Sequence, residues 1–217
     1  MSDLAKKIAR SLLEIGAVGF KPSSPITFKS GIISPVYVDN RRFPFHPAAW
    51  QEVIGGFQEL IVRDKLEFEV IAGIETAGIP HSAALGYAMS KPSVFVRKKI
   101  KDHGTKSRVE GGNVAGKKVI LLEDLVTTGM SSLAGVEALR QDGAEVTDCL
   151  IIVGYGFKEA DTAFAKAKVR LRPLTNFEVI LAEALELGLF SKTQKAILED
   201  WFQDPWGWGK RHGHDIS

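Results

Sequence analysis

The amino-terminal part of the chain carries apolar residues at helical spacing. Leu4, Ile8 and Leu12 follow one another at intervals of four after Ser2, and the first glycine after them is Gly16. A small polar residue before such a pattern and a glycine after it are typical helix boundaries. The pattern therefore predicts a first helix that begins near Ser2 and ends before Gly16.

Helical and strand-like patterns alternate after this point. Proline suits the first turn of a helix, so Pro47 and the spaced apolar residues up to Ile61 predict a second helix. Short apolar runs are then separated by helical patterns. The predicted strands are Val70–Ile74, Ser93–Arg97, Val119–Leu122 and Val146–Val153, and the predicted helices between them are 79–89 and 131–141. Continuous apolar strands separated by helices are typical of a mostly parallel sheet with helices on both faces.

The two ends of the chain differ from this α/β region. Four prolines between residues 22 and 45 separate the short extended segments 26–28 and 36–38, which predict a small irregular element beside the main domain. Residues 158–203 are predicted to form helices around a short strand at 169–171. The expected organisation is one domain over residues 1–209, with residues 1–45 adding a helix and the irregular element, and a flexible, solvated tail over 210–217.

Composition limits the classes of function. The 217 residues contain 45% hydrophobic side chains and a formal net charge of only +2, which fits a globular protein without the field of a general nucleic-acid binder. Cys149 is the single cysteine, so a disulfide framework is excluded and a reducing, cytoplasmic location is expected. No signal-peptide pattern or membrane-spanning run is recognised, and no partner membrane is expected.

The segment 119–132 combines a buried strand with unusual chemistry. Glu123 and Asp124 end the predicted strand, and Thr127, Thr128, Gly129 and Ser131 lead into the next helix. Backbone donors at a helix N-terminus, beside hydroxyls and a glycine, bind phosphate monoesters. Carboxylates hold sugar hydroxyls or magnesium, so the segment predicts a site for a phosphorylated sugar. The alternative is that the hydroxyls merely cap the helix and that the acids lie on the surface.

Other phosphate-binding signatures are missing from the sequence. The pattern G-x-x-x-x-G-K-[ST] does not occur, and Gly154-Tyr155-Gly156 lacks the third glycine of the dinucleotide fingerprint. Nucleoside triphosphates and dinucleotides are therefore not the expected ligands.

The segment 97–108 carries six lysines or arginines against a single aspartate. Several cations with a histidine and a glycine predict a loop that closes on a polyanion, where contacts made in the transition state would accelerate a reaction. A solvated charged loop and a contact with nucleic acid are the alternatives that the residues alone leave open.

Several motifs together resemble one known family. Glu123-Asp-Leu-Val-Thr-Thr-Gly-Met-Ser131 resembles the signature of the type I phosphoribosyltransferases, which bind phosphoribosyl pyrophosphate (PRPP) through it. Within that family, 97–104 resembles the catalytic loop of the orotate phosphoribosyltransferases, 28–31 with 34–41 their base-binding segment, and 73–80 their pyrophosphate turn. The resemblance implies the type I phosphoribosyltransferase fold with a small N-terminal hood, and transfer of the phosphoribosyl group of PRPP to orotate.

The resemblance also implies roles for individual residues. The PRPP site would consist of Glu123, Asp124, Leu125, Val126, Thr127, Thr128, Gly129, Met130 and Ser131. Orotate would contact Thr127 and Lys29, and pyrophosphate would meet the catalytic residues Arg97, Lys98, Lys101 and His103. Mg²⁺ would be held mainly by PRPP, with Glu123 and Asp124 acting through water, and the loop would reach across a homodimer.

Two departures from the family pattern concern the orotate carboxylate. Ala77 stands in the pyrophosphate turn where some members have lysine, and Gly154–Phe157 stands where some have arginine. Lys29 and the backbone of Ser30 and Gly31 then become the candidate partners of that carboxylate. The rival functions are a phosphoribosyltransferase for another base and a PRPP-sensing regulator without catalysis.

Overall fold

The computed structural model describes residues 2–99 and 107–214 of the chain. Its helices are α1 (Asp3–Glu14), α2 (Pro47–Arg63), α3 (Gly78–Met89), α4 (Met130–Gln141), α5 (Lys158–Lys166), α6 (Phe177–Glu186), α7 (Lys192–Gln203) and α8 (Trp208–Arg211), with a 3-10 helix over Asn40–Phe45. Its strands are β1 (Val18–Phe20), β2 (Ile26–Thr27), β3 (Ile33–Ser34), β4 (Val36–Val38), β5 (Val70–Ile74), β6 (Ser93–Val96), β7 (Val109–Glu110), β8 (Lys118–Val126), β9 (Glu145–Gly154) and β10 (Arg170–Asn176). The predicted alternation of helices and strands is confirmed.

A six-stranded sheet forms the centre of the molecule, with strand order β10-β9-β8-β5-β6-β7. Neighbouring strands run parallel from β10 to β6, and only β7 is antiparallel to its neighbour. Parallel strands present their carboxyl ends at one edge of the sheet. The segments that follow β5, β6 and β8 are therefore brought together there.

The sheet is apolar on both faces because helices cover both. On β8, Ile120 and Leu122 belong to the core shared with α1, α2 and α6, whereas Val119 and Leu121 pack with residues of α4 and α5. Successive side chains of a strand point to opposite faces, so both sets must be apolar when both faces are covered. This explains why the predicted strands appear as continuous apolar runs.

The N-terminal hood consists of two small antiparallel sheets, β1 with β4 and β2 with β3. Its core is completed by the C-terminal helices. The Trp201 indole of α7 is buried and donates a hydrogen bond of 2.8 Å to the backbone carbonyl of Ile33 in the hood. Trp208 is also buried in this cluster, so two of the C-terminal tryptophans are packing residues.

The C-terminal residues differ from the predicted solvated tail. Residues 210–213 are exposed as expected, but the chain is helical up to Arg211, and the rings of His212 and His214 stack on Trp208. Buried Trp208 holds this segment, and its aromatic contacts could not be inferred from its glycines and charged residues. The flexibility of the tail and the domain boundary at residue 209 stay predictions.

Three strands of the sheet also differ from the prediction. β10 runs over Arg170–Asn176, whereas a short strand at 169–171 was predicted. β8 continues four residues beyond Leu122, because its hydrogen bonds with β9 continue to the pair Val126 and Gly154. β7 was not predicted, and it returns the chain to β6 directly after the basic segment. Among the helices that the structure describes, none combines the length and apolar character needed to cross a membrane.

Candidate active site

A cavity of about 520 Å³ opens at the carboxyl edge of the sheet. It is bounded by the segments after β5, β6 and β8, and the hood supplies a further wall. The lining residues are Phe28, Lys29, Ser30, Glu75, Thr76, Ala77, Lys98, Glu123, Asp124, Leu125, Val126, Thr127, Thr128, Gly129, Met130, Ser131 and Ser132. The structure thus brings together Lys29, Lys98 and the whole predicted PRPP segment.

The acid pair Glu123 and Asp124 lies in the last residues of β8 and faces this cavity. Glu123 is 7% exposed, and its Oε1 accepts a hydrogen bond of 3.1 Å from the Asp124 amide. Burial and the neighbouring Asp124 charge raise the pKa of Glu123, while Lys98 opposes that rise. Burial also raises the pKa of Asp124. A buried carboxylate beside a partly buried one is costly for the protein alone, which is typical of groups that bind a ligand.

The turn after β8 leads into α4 with its backbone donors unoccupied. Gly129 is the N-cap of α4 and has a φ of +83°, and no side chain caps the helix within the described residues. The first N–H groups of a helix need partners from outside the helix, and they carry the positive end of its dipole. The alternative that the threonines and serines merely cap the helix is therefore wrong, and the helix end is available to an anion.

The segment after β5 forms the wall opposite this turn. Glu75, Thr76 and Ala77 line the cavity, and the peptide bond between Glu75 and Thr76 is cis. The Glu75 carboxylate accepts a hydrogen bond of 2.9 Å from the Lys98 amide, and the Glu75 amide donates to the Val96 carbonyl at 2.9 Å. The start of the basic segment is thereby attached to this wall.

The predicted catalytic cations occupy different positions. Lys98 lines the cavity, whereas the Arg97 guanidinium lies 3.5 Å from the Glu110 carboxylate and is not part of the cavity wall. Backbone hydrogen bonds join Arg97 to Arg108, which closes the base of the segment. Lys101 and His103 lie outside the described residues, so their roles stay predictions.

The hood wall carries the residues predicted to bind orotate. Lys29 and Ser30 line the cavity beside Phe28, whose ring contacts Tyr155 at 5.5 Å and Trp201 at 6.3 Å between centroids. Packing therefore fixes the backbone on which Lys29 stands. Ser30 Oγ is buried without a hydrogen-bond partner within the described part of the chain, which leaves it available to a ligand.

The donor set fits a magnesium ion carried by substrate. No group of three or more histidine, cysteine or acidic side chains suited to a metal occurs in residues 2–99 and 107–214. Mg²⁺ typically keeps several waters and takes one or two carboxylates together with substrate phosphates. Glu123 and Asp124 provide two such carboxylates beside the helix end that suits a phosphate.

Several lining residues were not among the predicted site residues. Phe28, Glu75, Thr76, Ala77 and Ser132 line the cavity, as does Ser30, of which only the backbone was a predicted partner of orotate. The signal for most of them was present, because 28–31 and 73–80 match family motifs. Glu75 was missed because its contact with Lys98 joins segments that are 23 residues apart.

Comparison with known proteins agrees with this geometry. A model described as the phosphoribosyl transferase domain matches residues 45–180. The orotate phosphoribosyltransferase of Enterococcus faecalis is 40% identical over 210 residues, which cover 97% of this chain and 100% of that protein.

Solved structures give the same result. The orotate phosphoribosyltransferase of Aeropyrum pernix matches with a TM-score of 0.73 and 31% identity, over 85% of this chain and 99% of that one. Leishmania donovani UMP synthase matches with a TM-score of 0.80 and 25% identity over 92% of this chain, which spans only 42% of that longer protein. The chain therefore belongs to the phosphoribosyl transferase family and, within it, to the orotate phosphoribosyltransferases.

Proposed function

We propose that this protein transfers the phosphoribosyl group of PRPP to orotate, giving orotidine 5'-phosphate and pyrophosphate for pyrimidine nucleotide synthesis. The observation that carries the proposal is the acid pair beside the uncapped N-terminus of α4 in one cavity. A sugar diol and a phosphate fit these two groups at once. Relatives that are about 40% identical over nearly the whole chain bear the name of this activity.

The reaction requires no covalent protein intermediate. A ring nitrogen of orotate forms a bond with the anomeric carbon of PRPP, and the bond from that carbon to the pyrophosphate oxygen breaks. Positive charge develops on the sugar while negative charge develops on pyrophosphate. The protein would accelerate this step by aligning the two reactants, stabilising the leaving group and excluding water.

The sugar and its 5-phosphate would occupy the β8 side of the cavity. Glu123 and Asp124 accept hydrogen bonds from the ribose hydroxyls, and their negative charge also favours the cationic sugar of the transition state. Thr127 to Ser131 donate hydroxyl and backbone hydrogen bonds to the phosphate at the start of α4. Thr127 stands between this site and the hood, where Lys29 would pair with the orotate carboxylate.

Pyrophosphate would leave on the side of the β5 turn and the basic segment. Lys98 lines this part of the cavity, and Arg97, Lys101 and His103 complete the proposed set of catalytic residues. Mg²⁺ bound to PRPP would supply further charge neutralisation on the phosphates. Glu75 also faces this region, and its hydrogen bond to the Lys98 amide fixes the position at which Lys98 enters the site.

An absorbance assay tests the proposal directly. Purified protein with PRPP, Mg²⁺ and orotate should consume orotate, and removal of Mg²⁺ by EDTA should abolish turnover. Uracil, hypoxanthine and adenine serve as alternative bases under the same conditions. Turnover of one of these bases instead of orotate would change the substrate, and PRPP binding without turnover of any base would favour the sensing regulator.

A homodimer with the 97–108 segment shared across its interface is part of the proposal. It rests on the likeness of this segment to the family loop. Mixing a Lys101→Ala chain with an Asp124→Asn chain should restore activity at one of the two sites of a mixed dimer, because the intact Asp124 of one chain then meets the intact Lys101 of the other. Complete inactivity of folded mixed dimers would exclude sharing of the segment.

The single thiol, buried Cys149, agrees with a proposed cytoplasmic location, which cell fractionation tests.

A further inference from the structure

The end of β8 is supported by a strand on only one side. β8 pairs with β5 only as far as the pair Leu122 and Gly73, whereas its pairing with β9 continues to Val126. The acid pair lies in this one-sided part of the strand. Backbone groups that face the β5 side there need partners from another element.

Asn40 of the 3-10 helix provides such a partner. It is fully buried, and its Nδ2 donates a hydrogen bond of 3.0 Å to the backbone carbonyl of Asp124. The same amide also favours the charged form of the Asp124 carboxylate and opposes the burial that raises its pKa. Asn40 therefore holds the backbone of Asp124 directly, although it does not line the cavity.

A buried histidine lies near Asn40. His81 of α3 is fully buried, and the Trp50 indole donates a hydrogen bond of 3.0 Å to its Nδ1. An indole nitrogen can only donate, so Nδ1 accepts and the proton of the neutral ring lies on Nε2. Burial lowers the pKa of His81 to about 4, which keeps the ring neutral, and the nearby Asn40 backbone opposes this shift.

One polar atom of each of these two side chains, His81 and Asn40, has no hydrogen-bond partner in the part of the chain that the structure describes. His81 Nε2 and Asn40 Oδ1 are both buried without a hydrogen-bond partner of good geometry within the described residues. Buried polar atoms without partners are costly and are retained where an arrangement is needed for function. Phe43, in the same 3-10 helix as Asn40, packs against the His81 ring with 6.3 Å between centroids.

We propose that Asn40 is a positioning residue of the donor site, which sets the location of Asp124 at the end of β8 that is paired on only one side. The packing of Phe43 on the buried His81 ring holds the 3-10 helix that carries Asn40. The proposal rests on the proposed function, because Asp124 matters there as a ligand of the PRPP ribose. The 3-10 helix would thereby contribute to donor binding, although none of its described residues lines the cavity.

The test uses Asn40→Leu, which keeps the shape of the side chain and removes its donor. We expect the KM for PRPP to rise about tenfold, because a displaced Asp124 carboxylate would lose one charge-assisted hydrogen bond to the ribose, while the KM for orotate changes less than about twofold. Asn113→Leu is the matched control, since Asn113 accepts from the Ala115 amide in an exposed turn outside the cavity. The control should leave both KM values unchanged.

A double-mutant comparison separates positioning from a general structural role. In an Asp124→Asn background, Asn40→Leu should raise the dissociation constant of Mg²⁺·PRPP less than about threefold, because its effect in wild type is exerted through the carboxylate. An undiminished effect in that background would overturn the proposal. Equal increases in both KM values, or unchanged kinetics with an active wild type, would also overturn it and leave the proposed function intact.

Folding of the variants is checked by their thermal unfolding. If Asn40→Leu does not fold, Asn40→Ala replaces it, since alanine also lacks the donor and adds no titratable group beside Asp124. Loss of the native fold in both variants would show that Asn40 supports the whole domain and would reject the specific role. An inactive wild type, in contrast, would contradict the proposed function itself.

Discussion

Combined replacement of Glu123 by glutamine and Asp124 by asparagine is expected to lower kcat/KM for PRPP by about 1,000-fold, since each carboxylate would lose a charge-assisted hydrogen bond to the ribose. The amides keep the shape of the acids and their position in β8. They remove the charges that favour the cationic sugar. Each single replacement should show an intermediate loss in steady-state kinetics with PRPP as the varied substrate.

The stability of the same variant should change in the opposite direction. Burial and repulsion by the Asp124 charge raise the pKa of Glu123, and burial raises the pKa of Asp124, so the fold disfavours the charged forms of both groups in the empty site. Neutral amides remove this repulsion, and the free energy of unfolding at pH 8 should be equal to or greater than that of wild type. Urea unfolding monitored by tryptophan fluorescence would measure it.

Glu137→Gln is the control for this experiment. It makes the same chemical change on the exposed side of α4 and should affect neither activity nor stability. An acid-pair variant that retains wild-type kcat/KM for PRPP would contradict the assignment of the ribose site. A variant that loses activity together with its fold would instead show that the acids serve the structure.

The second large effect is expected from Gly129→Ala. Gly129 has a φ of +83°, and a Cβ atom built there would lie 2.8 Å from the Phe164 ring. The left-handed conformation costs an L-residue about 1–2 kcal/mol, and the contact forces the turn or the ring to move. A displacement of about 1 Å at a substrate-holding element can cost about 100-fold in rate, so kcat/KM for PRPP should fall by that factor.

Gly143 offers a matched comparison at the other end of α4. Its φ is also +83°, but a Cβ atom there would meet Ala115 only at 3.4 Å, in ordinary contact and away from the cavity. Gly143→Ala should therefore lose about 1 kcal/mol of stability through backbone strain alone and keep its activity. Equal activity of the two variants would show that the shape of the turn at Gly129 does not hold the phosphate.

The sequence predicted the sheet and the donor segment because both depend on local patterns. Continuous apolar runs identified the central strands. The acid pair followed by hydroxyls and glycine identified one part of the site from local sequence alone. Lys29 could be assigned only through the family motif, since a single exposed lysine carries no local signal. The structure places it on the hood wall of the same cavity.

Features that depend on distant neighbours could not be predicted in this way. The extension of β8 to Val126 follows from its pairing with β9, which local hydrophobicity does not encode. Asn40 looked like an ordinary polar residue of an irregular segment, and its contact is with Asp124, 84 residues away. The position of Arg97 beside Glu110 likewise depends on the unpredicted strand β7.

The packing of the hood against α7 and α8 has a consequence for the synthesis of the protein. Lys29 precedes β5, β8 and β9 in the chain, whereas Trp201 and Trp208, which pack against its segment, follow them. The nascent chain can form β5, β8 and β9 and bind the sugar phosphate before the base-binding wall has its support. A ribosome that stalls before Trp201 is translated would thus display a donor site without a finished acceptor site.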